Sequence, residues 1–592
     1  MKHVKKHVKP YLPLLISSII FIAIQAYCNL ALPNIMSKIV NVGIQEYSQK
    51  IALASGRAAE ALKLEQQHYI IMTGFKMLGV AVFTGIVTLL VQYCNAKLGT
   101  GLARDLRNTI FGKIESFSSA EFDKFSTASL ITRTTNDVQQ VQMMLTMGVR
   151  TIVFAPLMGI GGVIMAMKKA PSMAWINALS ILMVIGLIMI VYSLAVPRFK
   201  RIQTLIDKLN LVARESLSGL MVVRAFSTQK YEEERFDKAS KEYKDNNLFV
   251  NRVMSLMGPT MTLLQNIVPV AIIWVGAEKI AQSQLLVGDM MAYIQYSGNI
   301  MGAFMMISSI FVMFPRAKVS VNRISEVLDT ENVITEKENA VVIPMGKCEV
   351  SFNDVSFTYP SGEGEVLENI SFTAKPGQVT AIIGSTGCGK TSLVNLIPRF
   401  YDVTKGSVTI NGTDVKDISL TNLRDLIGYV PQKSILLSGT IRSNLESANP
   451  NATEADMEKA CEIAQAKEFI ERKEEKYDYP ISQGGTNVSG GQRQRMAIAR
   501  AIMKMAPVYI FDDSFSALDF TTDLKLRKAL KENLSDSTII IVGQRVASIM
   551  DADQIIVMDE GKIVGKGTHK ELLQVCEEYQ QIAYSQLSKE EV

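Results

Sequence analysis

The sequence predicts two joined parts, an all-α membrane domain with six helical spans and a following α/β domain. The chain has 592 residues and is 48% hydrophobic, which is too long for one domain and too apolar for an ordinary soluble protein. Apolar runs long enough to cross a bilayer recur six times in its first half. The second half has β-branched strands and glycine turns, with no further span.

The first predicted span lies in "MKHVKKHVKPYLPLLISSIIFIAIQAYCNLAL". Its apolar run of about twenty residues suits a bilayer span better than the ~7–15-residue core of a signal peptide. Lys2, Lys5, Lys6 and Lys9 precede the run and are expected on the inner side of the membrane. We therefore expect this first span to be retained.

Five further apolar runs complete the membrane domain, at residues 70–94, 147–167, 173–196, 254–280 and 287–314. The connecting stretches "KLGTGLARDLRNTIFGKIESF" and "PRFKRIQTLIDKLNLVARES" are basic and helical in period, so we expect the helices to continue past the bilayer on the inner side. The connection between the first two spans and the stretch Ala281–Leu286 carry few basic residues. An even number of spans leaves both termini and the α/β domain in the cytosol of a multi-pass plasma-membrane protein.

The boundary between the two parts is marked by a change in composition. A charged segment, "ENVITEKENAVVIPMG", follows the end of the helical pattern at "RISEVLDT". We place the membrane domain at residues 1–325, the linker at 326–344 and the α/β domain at 345–592.

The bulk composition disfavours two other classes of site. The net charge is only +5 and the basic residues are dispersed, so we expect no nucleic-acid partner. The cysteines are scattered, without a C-x-x-C pair or histidines at metal spacing, which indicates neither a disulfide framework nor a zinc site. They are Cys28, Cys94, Cys348, Cys388, Cys461 and Cys576.

A phosphate-binding loop is predicted in "VTAIIGSTGCGKTSL", which reads as strand, glycine-rich loop and helix. In this P-loop pattern, backbone N–H groups cradle phosphates, Lys390 reaches the outer phosphates and Thr391 binds Mg²⁺. This predicts a P-loop NTPase domain. The residues expected to contact the nucleotide here are Gly384, Ser385, Gly387, Cys388, Gly389, Lys390, Thr391 and Ser392.

Two later motifs complete the pattern. "VSGGQRQRMAIARAI" is followed by "VYIFDD", in which Asp512 ends an apolar strand as a Mg²⁺-binding carboxylate should. In this combination and order, the sequence resembles the ATP-binding cassette (ABC) family over essentially the whole chain. With six preceding spans, it is similar to an exporter half-transporter of that family.

This resemblance implies ATP and Mg²⁺ as cofactors, with Thr391, Gln432 and Asp512 at the metal. Tyr359 in "VSFTYP" matches the aromatic residue that stacks on adenine, and Gln432 in "YVPQKSILLSGT" matches the glutamine that senses Mg²⁺ and the attacking water. The signature motif corresponds to Ser489, Gly490, Gly491 and Gln492, and the D-loop to Asp519 in "SALD". "EFDKFSTASLITRTTNDVQQV" and "ESLSGLMVVRAFSTQKYEEERF" resemble the inner loops that carry coupling helices.

A second cassette is also implied. The signature turn, at a helix N-terminus, is a second anion site far from the glycine-rich loop in sequence. In the family's arrangement it faces a nucleotide held by the other cassette, so two cassettes close head-to-tail over two ATP molecules. A partner half-transporter is therefore expected.

The sequence departs from the family pattern at two positions that act on the same γ-phosphate. Asp513 stands where a catalytic glutamate is usual, and its carboxylate has less reach by one methylene. Gln544, in "IIIVGQRVASI", stands where a histidine is usual, and a neutral amide cannot pass a proton. Together they predict a site that binds ATP but hydrolyses it poorly.

The interpretation that uses all these features is a heterodimer, in which the intact signature completes the competent ATP site of a different chain. Two alternatives remain open. One is a homodimeric lipid or peptide exporter with two slow sites, and the other is a regulator in which ATP-driven closure gates a pore or a partner without moving cargo.

The cargo is less well defined by sequence. Methionines in "MGAFMMISSIFVMF", namely Met301, Met305, Met306 and Met313, could form an adaptable apolar surface or simply pack between helices. Polar side chains at mid-span, Gln265, Asn266, Gln295 and Asn299, are expected to face a cavity or another helix. We therefore expect a small amphipathic or hydrophobic cargo, of the multidrug type, in contact with the lipid bilayer.

Overall fold

The computed structural model describes residues 6–360 and 362–586, so Lys2, His3 and Lys5 lie outside the described residues. The chain divides into two compact units, Met1–Glu115 with Ala128–Asp329, and Ser116–Thr127 with Thr330–Val592. The second unit therefore includes a short stretch that the sequence analysis assigned to the membrane domain. The boundaries predicted at 325/326 and 344/345 stay predictions.

The first unit is helical, and six of the described helices are long and apolar enough to cross a membrane. This confirms the predicted membrane fold. Each of the six has 43 to 59 residues, far more than the ~20 that span a bilayer, so the helices extend past it. In chain order the six long helices are α1 Lys6–Leu53, α2 Arg57–Glu115, α4 Thr127–Lys169, α5 Pro171–Ser218, α7 Gln229–Ala281 and α8 Val287–Asp329. Two short helices lie in connections, α3 Ser119–Lys124, which belongs to the second unit, and α6 Leu220–Ala225.

Polar side chains join the long helices at buried points. The hydroxyl of the fully buried Tyr293 in α8 donates to the carbonyl of Met173 at 2.7 Å. In α1, the Ser18 hydroxyl donates to the amide oxygen of Asn95 in α2 at 2.6 Å. Because an unpaired polar group in hydrocarbon costs several kcal/mol, such contacts fix which helix faces which.

An ion pair joins the ends of two long helices, and a hydroxyl group of a third helix is hydrogen-bonded to it. Lys169 Nζ, at the end of α4, lies 2.8 Å from Asp289 Oδ1 at the start of α8, and the side chains are 22% and 19% exposed. The Ser37 hydroxyl in α1 donates to the same oxygen at 2.6 Å. The neighbouring Gly288 has no room for a side chain, since a Cβ there would lie 2.6 Å from the Ser37 carbonyl oxygen.

The second unit is an α/β domain with three sheets. Its strands are β1 Val350–Phe357, β2 Leu367–Ala374, β3 Val379–Gly384, β4 Lys405–Ile410, β5 Thr413–Asp414, β6 Ile427–Val430, β7 Gly439–Thr440, β8 Pro480–Ile481, β9 Val508–Asp512, β10 Thr538–Val542, β11 Gln554–Asp559 and β12 Lys562–Gly567. Its main helices are α9 Lys390–Asn395, α10 Leu420–Asp425, α11 Ile441–Glu446, α12 Glu454–Ile463, α13 Lys467–Glu471, α14 Gly490–Met503, α15 Phe520–Asn533, α16 His569–Val575 and α17 Glu577–Gln586.

The central sheet has the order β12-β11-β3-β10-β9-β6, and it is parallel except for the antiparallel edge strand β12. All five residues of β9 are buried. Tyr509 and Phe511 pack into one core with the helices, while Val508 and Ile510 pack into a second core with the antiparallel sheet β2-β1-β4-β5. Burial on both faces explains why these strands are continuously apolar in sequence. All six cysteines are buried free thiols.

Breaking the α4–α8 ion pair should destabilise the membrane unit. Lys169→Met or Asp289→Asn leaves the remaining group without its partner, which should cost about 1–3 kcal/mol. The double variant should lose less than the sum of the two single losses, as measured by thermal unfolding in nanodiscs. Lys208→Met, in an exposed pair with Glu242, is the control and should change little. Additive losses would show that the ion pair does not couple the two helices.

Candidate nucleotide site

The glycine-rich loop joins β3 to α9, as the sequence predicted. Gly387 and Gly389 have φ angles of 88° and 96°, in the left-handed region that glycine adopts without strain. At Gly384 a Cβ would lie 2.1 Å from the carbonyl oxygen of Met558 in the neighbouring strand β11. The loop therefore requires glycine for its backbone conformation and for its close contact with the sheet.

The lysine of this loop, Lys390, is 8% exposed, and its side chain folds back over the loop. Its Nζ donates to the carbonyls of Gly384 at 2.9 Å and Ser385 at 2.7 Å, and lies 3.6 Å from Cys388 Sγ. The ammonium thus sits inside the curve of the loop, where an anionic phosphate would meet both the lysine and the loop N–H groups.

Tyr359 lies beside the first turn of α9. Its hydroxyl is 2.7 Å from Ser392 Oγ, and its ring packs edge-on against Phe357 and Tyr401, at centroid distances of 4.8 Å and 5.1 Å. The predicted adenine-stacking ring is therefore held at a fixed distance from the phosphate-binding loop.

Tyr401 was not recognised from the sequence. Its hydroxyl donates to Asp123 Oδ2 in α3 at 2.8 Å, and burial together with this carboxylate raises the pKa of Tyr401 well above its usual value. The two residues are 278 positions apart, so no local pattern could have indicated the contact. Through Tyr401, the ring of Tyr359 is linked to the short helix α3.

Asp512 ends β9 and is 1% exposed. Thr391 Oγ1 donates to its Oδ1 at 3.1 Å, whereas Oδ2 has no hydrogen-bond partner among the residues described. Burial, with the nearby charge of Asp513, raises the pKa of Asp512 to about 6. A buried carboxylate oxygen without a partner, next to a threonine hydroxyl, fits a Mg²⁺ site. Such an ion would neutralise charge on the β- and γ-phosphates of ATP.

Asp513, Gln432 and Gln544 come together as one group. Asp513 Oδ2 accepts hydrogen bonds from Gln544 Nε2 at 3.0 Å and from Gln432 Nε2 at 3.4 Å. The Asp513 backbone has φ 47°, which aspartate tolerates better than most residues, and its carbonyl accepts from Gln494 Nε2 of α14 at 3.2 Å. The Gln432 amide donates to Asp513, and within the described residues it has no hydrogen bond to Thr391 or Asp512.

The signature residues form the N-terminal cap of α14. The Ser489 N–H donates to Gln492 Oε1 at 3.1 Å, and the Gln492 N–H donates to Ser489 Oγ at 3.3 Å. A Cβ at Gly490 would meet open space, and one at Gly491 would lie 3.3 Å from the carbonyl of Ala517. In the described part of the chain, no hydrogen bond joins these residues to the glycine-rich loop or to Asp512.

The D-loop lies between β9 and α15. Asp519 caps α15 by accepting the Thr522 N–H at 3.0 Å, which lowers the pKa of this carboxyl. Arg545, next to Gln544, donates to the carbonyl of Ser516 at 3.3 Å. The D-loop and the segment that carries Gln544 are therefore in direct contact.

Two family comparisons identify these parts. Residues 15–304 match the family model of the ABC transporter transmembrane region, and residues 367–516 match the ABC transporter family model. The chain belongs to the ABC transporter family. The membrane region and the ATP-binding region of this ABC transporter are fused in one polypeptide, which confirms the predicted fold class and implies ATP-driven transport with ATP and Mg²⁺.

Relatives of similar length support this assignment. The ABC transporter is 38% identical to an uncharacterized ABC transporter ATP-binding protein of Mycobacterium tuberculosis, over 98% of this chain and 97% of the relative. It is 34% identical to one of Bacillus subtilis, over 100% and 99%. It is 32% identical to an ATP-dependent lipid A-core flippase of Aromatoleum aromaticum, over 86% and 84%.

A solved structure matches the fold of the whole chain. A bacterial Atm1-family ABC exporter with ATP bound superposes with a TM-score of 0.77, covering 98% of each chain at 22% sequence identity. The ABC transporter described here therefore has an Atm1-family exporter fold.

Replacing the buried carboxylate should separate stability from metal binding. Because its pKa is raised, the charged Asp512 destabilises the folded domain by up to about 3 kcal/mol above pH 6, and the cost disappears as the group is protonated towards pH 4. Asp512→Asn should therefore raise the thermal midpoint of the nucleotide-free chain at pH 7.5, and raise it clearly less at pH 4.5. The same variant should lose the Mg²⁺-dependent part of its ATP affinity. A variant that is less stable at pH 7.5, or that keeps its Mg²⁺ dependence, would contradict this role.

Proposed function

We propose that the chain is one subunit of an ATP-driven exporter, whose own ATP site binds nucleotide and hydrolyses it slowly. Its signature motif would complete the competent site of a different half-transporter. The observation that carries the proposal is the environment of Asp513, whose carboxylate is held by two neutral amides at 3.0 Å and 3.4 Å.

The chemistry of this group favours slow hydrolysis. An aspartate falls short of a glutamate by one methylene, and a misplacement of ~1 Å can lower a rate by about a hundredfold. The Gln544 amide donates to Asp513, but it can neither become a cation nor pass a proton. Of the three described histidines, His7, His68 and His569, only His569 belongs to the second unit, and its imidazole is hydrogen-bonded to the Tyr579 hydroxyl at 2.7 Å.

Nucleotide binding is supported by the elements that remain intact. The glycine-rich loop keeps its left-handed glycines and its lysine, and Tyr359 and Thr391 stand beside it. We propose that Tyr359 stacks on adenine, that Lys390 binds the outer phosphates, and that Thr391 and Asp512 hold Mg²⁺ with help from Gln432.

A second chain is supported by the signature. Ser489 and Gly490 cap a helix of fourteen residues, whose N-terminus has backbone N–H groups and a partial positive charge suited to a phosphate. This cap has no recorded hydrogen bond to the glycine-rich loop of the same chain within the described residues. We propose that it serves the nucleotide of a partner cassette.

The proposed cargo is a small amphipathic or hydrophobic molecule, of which multidrug-type compounds and lipids are both members. A relative that is 32% identical is an ATP-dependent lipid A-core flippase, which favours a lipid-type cargo. A homodimeric lipid exporter is the second candidate function. In α7 and α8, Gln265 Nε2 donates to Met305 Sδ at 3.4 Å, whereas Met301 is 2% exposed and Asn266 bonds within its own helix. Met305 is thus the better candidate for an adaptable surface.

The proposed location is the plasma membrane, with both termini and the ATP-binding domain in the cytosol. The support is the basic character of the segments before the first span and between spans two and three, and four and five. We retain 1–325, 326–344 and 345–592 as the proposed domain limits.

The chain purified alone should have little ATPase activity, because Asp513 and Gln544 leave its site without a well-placed base or an imidazole. Co-expression with a second half-transporter that carries glutamate and histidine at these positions should restore turnover, measured as phosphate release in nanodiscs. Rapid hydrolysis by a homogeneous preparation of this chain would contradict the heterodimer and favour the homodimer.

The ATPase activity restored by the partner also distinguishes the role of the signature motif from that of the glycine-rich loop. Ser489→Arg should abolish it, since a bulky side chain would lie against the partner's nucleotide. Lys390→Ala, in the weak site, should leave part of it. Equal losses would contradict the separate roles, and ATP-dependent uptake of a fluorescent lipid into inverted vesicles would distinguish an exporter from a regulator.

Introducing both the glutamate and the histidine of the family pattern should restore part of the hydrolysis. In a heterodimer whose competent site lacks its glutamate, Asp513→Glu alone should help little, and Asp513→Glu with Gln544→His should help more than the two single changes combined, since such residues act as a unit. Steady-state ATP turnover is the measurement. Full-rate hydrolysis in this background before any change to Asp513 or Gln544 would show that this site is already a working catalytic centre.

A further inference from the structure

In the final described helix, α17, the side chain of Gln586 is hydrogen-bonded to the segment that carries Gln544. Gln586 Nε2 donates to the Gln544 carbonyl at 2.8 Å, and Gln586 Oε1 accepts the Val546 N–H at 2.8 Å. We propose that Gln586 is a positioning residue, which directs the Gln544 side chain to the γ-phosphate of ATP. This proposal rests on the proposed nucleotide site, together with the expectation from the family resemblance that residue 544 acts on the γ-phosphate.

The two hydrogen bonds fix the backbone on both sides of Arg545. This segment is a short connection between β10 and the turn Val546–Ser548. Just before Gln544, the Gly543 N–H donates to the carbonyl of Ile382 in β3 at 3.0 Å. With the backbone held at 543 and by Gln586 at 544 and 546, the starting point of the Gln544 side chain is fixed, and its amide donates to Asp513 Oδ2 at 3.0 Å.

The helix that presents Gln586 is itself anchored in the domain core. Tyr579 and Ala583 are fully buried, and they share a helix face with Gln586, since the spacings of four and three residues bring all three to one side. The Tyr579 hydroxyl also bonds His569 Nδ1 of α16 at 2.7 Å. The Gln586 amide is therefore attached to a rigid support, although the residue is exposed.

Gln586 is a suitable residue to test because its removal should leave the fold intact. It lies 42 positions from Gln544, is exposed, and contributes a side-chain amide to two backbone groups. The buried anchors Tyr579 and Ala583 remain in any Gln586 variant. Loss of the amide should therefore affect the Gln544 contact rather than the packing of α17.

The test is the preference of the full-length chain for a nucleotide with a γ-phosphate. In nanodiscs with Mg²⁺, affinities for the non-hydrolysable ATP analogue with a β,γ-imido bridge and for ADP are measured by titration. Gln586→Ala should weaken analogue binding about fivefold, as the loss of two ordinary hydrogen bonds predicts, and leave ADP binding unchanged. Gln586→Glu should behave alike, because a carboxylate still accepts from Val546 but cannot donate to the Gln544 carbonyl.

Two controls distinguish positioning from a general structural effect. Gln581→Ala changes an exposed glutamine of the same helix that has no recorded hydrogen bond among residues 6–360 and 362–586, and it should alter neither affinity. Gln544→Ala should abolish most of the preference by itself. Adding Gln586→Ala to Gln544→Ala should then have no further effect, because the two residues act through one side chain.

Three results would overturn the proposal. They are an unchanged preference in Gln586→Ala, an equal loss of analogue and ADP affinity, and a further loss when Gln586→Ala is added to Gln544→Ala. Neither nucleotide is hydrolysed in this assay, so rapid ATP turnover by the chain, which would contradict the proposed slow site, is a separate result and leaves the affinity ratio interpretable.

Discussion

The hydrogen bonds of the Asp513 carboxylate to Gln432 and Gln544 determine what this ATP site can do. They place the side chain at the end of β9 in a fixed direction, on a backbone at φ 47°. Both contacts are with neutral amides, which orient the carboxylate but cannot pass a proton to it. In contrast, the adjacent Asp512 is buried and, among the described residues, its Oδ2 has no hydrogen-bond partner, which suits a metal ion. In the proposed site, metal binding and hydrolysis are therefore assigned to neighbouring residues with opposite environments.

The sheet order explains how residues far apart in sequence form one site. Parallel neighbours β3, β10, β9 and β6 end at the same edge, and each end leads into a segment of the site. β3 leads to the glycine-rich loop, β9 to the two aspartates, β10 to Gln544 and β6 to Gln432. The central sheet can hold this edge firmly because its strands are buried on both faces.

Much of this arrangement could be predicted from the sequence, because the periodicity of apolar residues and the glycine-rich loop are local signals. The six membrane helices and the strand, loop and helix at Lys390 are of this kind. The contacts of Tyr401 with Asp123 and of Gln586 with Gln544 could not be predicted, since each joins polar groups that are far apart in sequence and lie in no local motif. For the same reason, the sequence did not indicate that residues 116–127 belong to the second compact unit.

The central claim is that this chain retains intact ATP while the partner's site turns over, because its own site hydrolyses ATP slowly. The most direct measurement is to cross-link a radioactive 8-azido-ATP to the transporter in membranes after turnover with Mg²⁺, to separate the two chains, and to identify the nucleotide on each. The account predicts an intact triphosphate on this chain, attached near Tyr359, and a diphosphate on the partner. A diphosphate on this chain would contradict it.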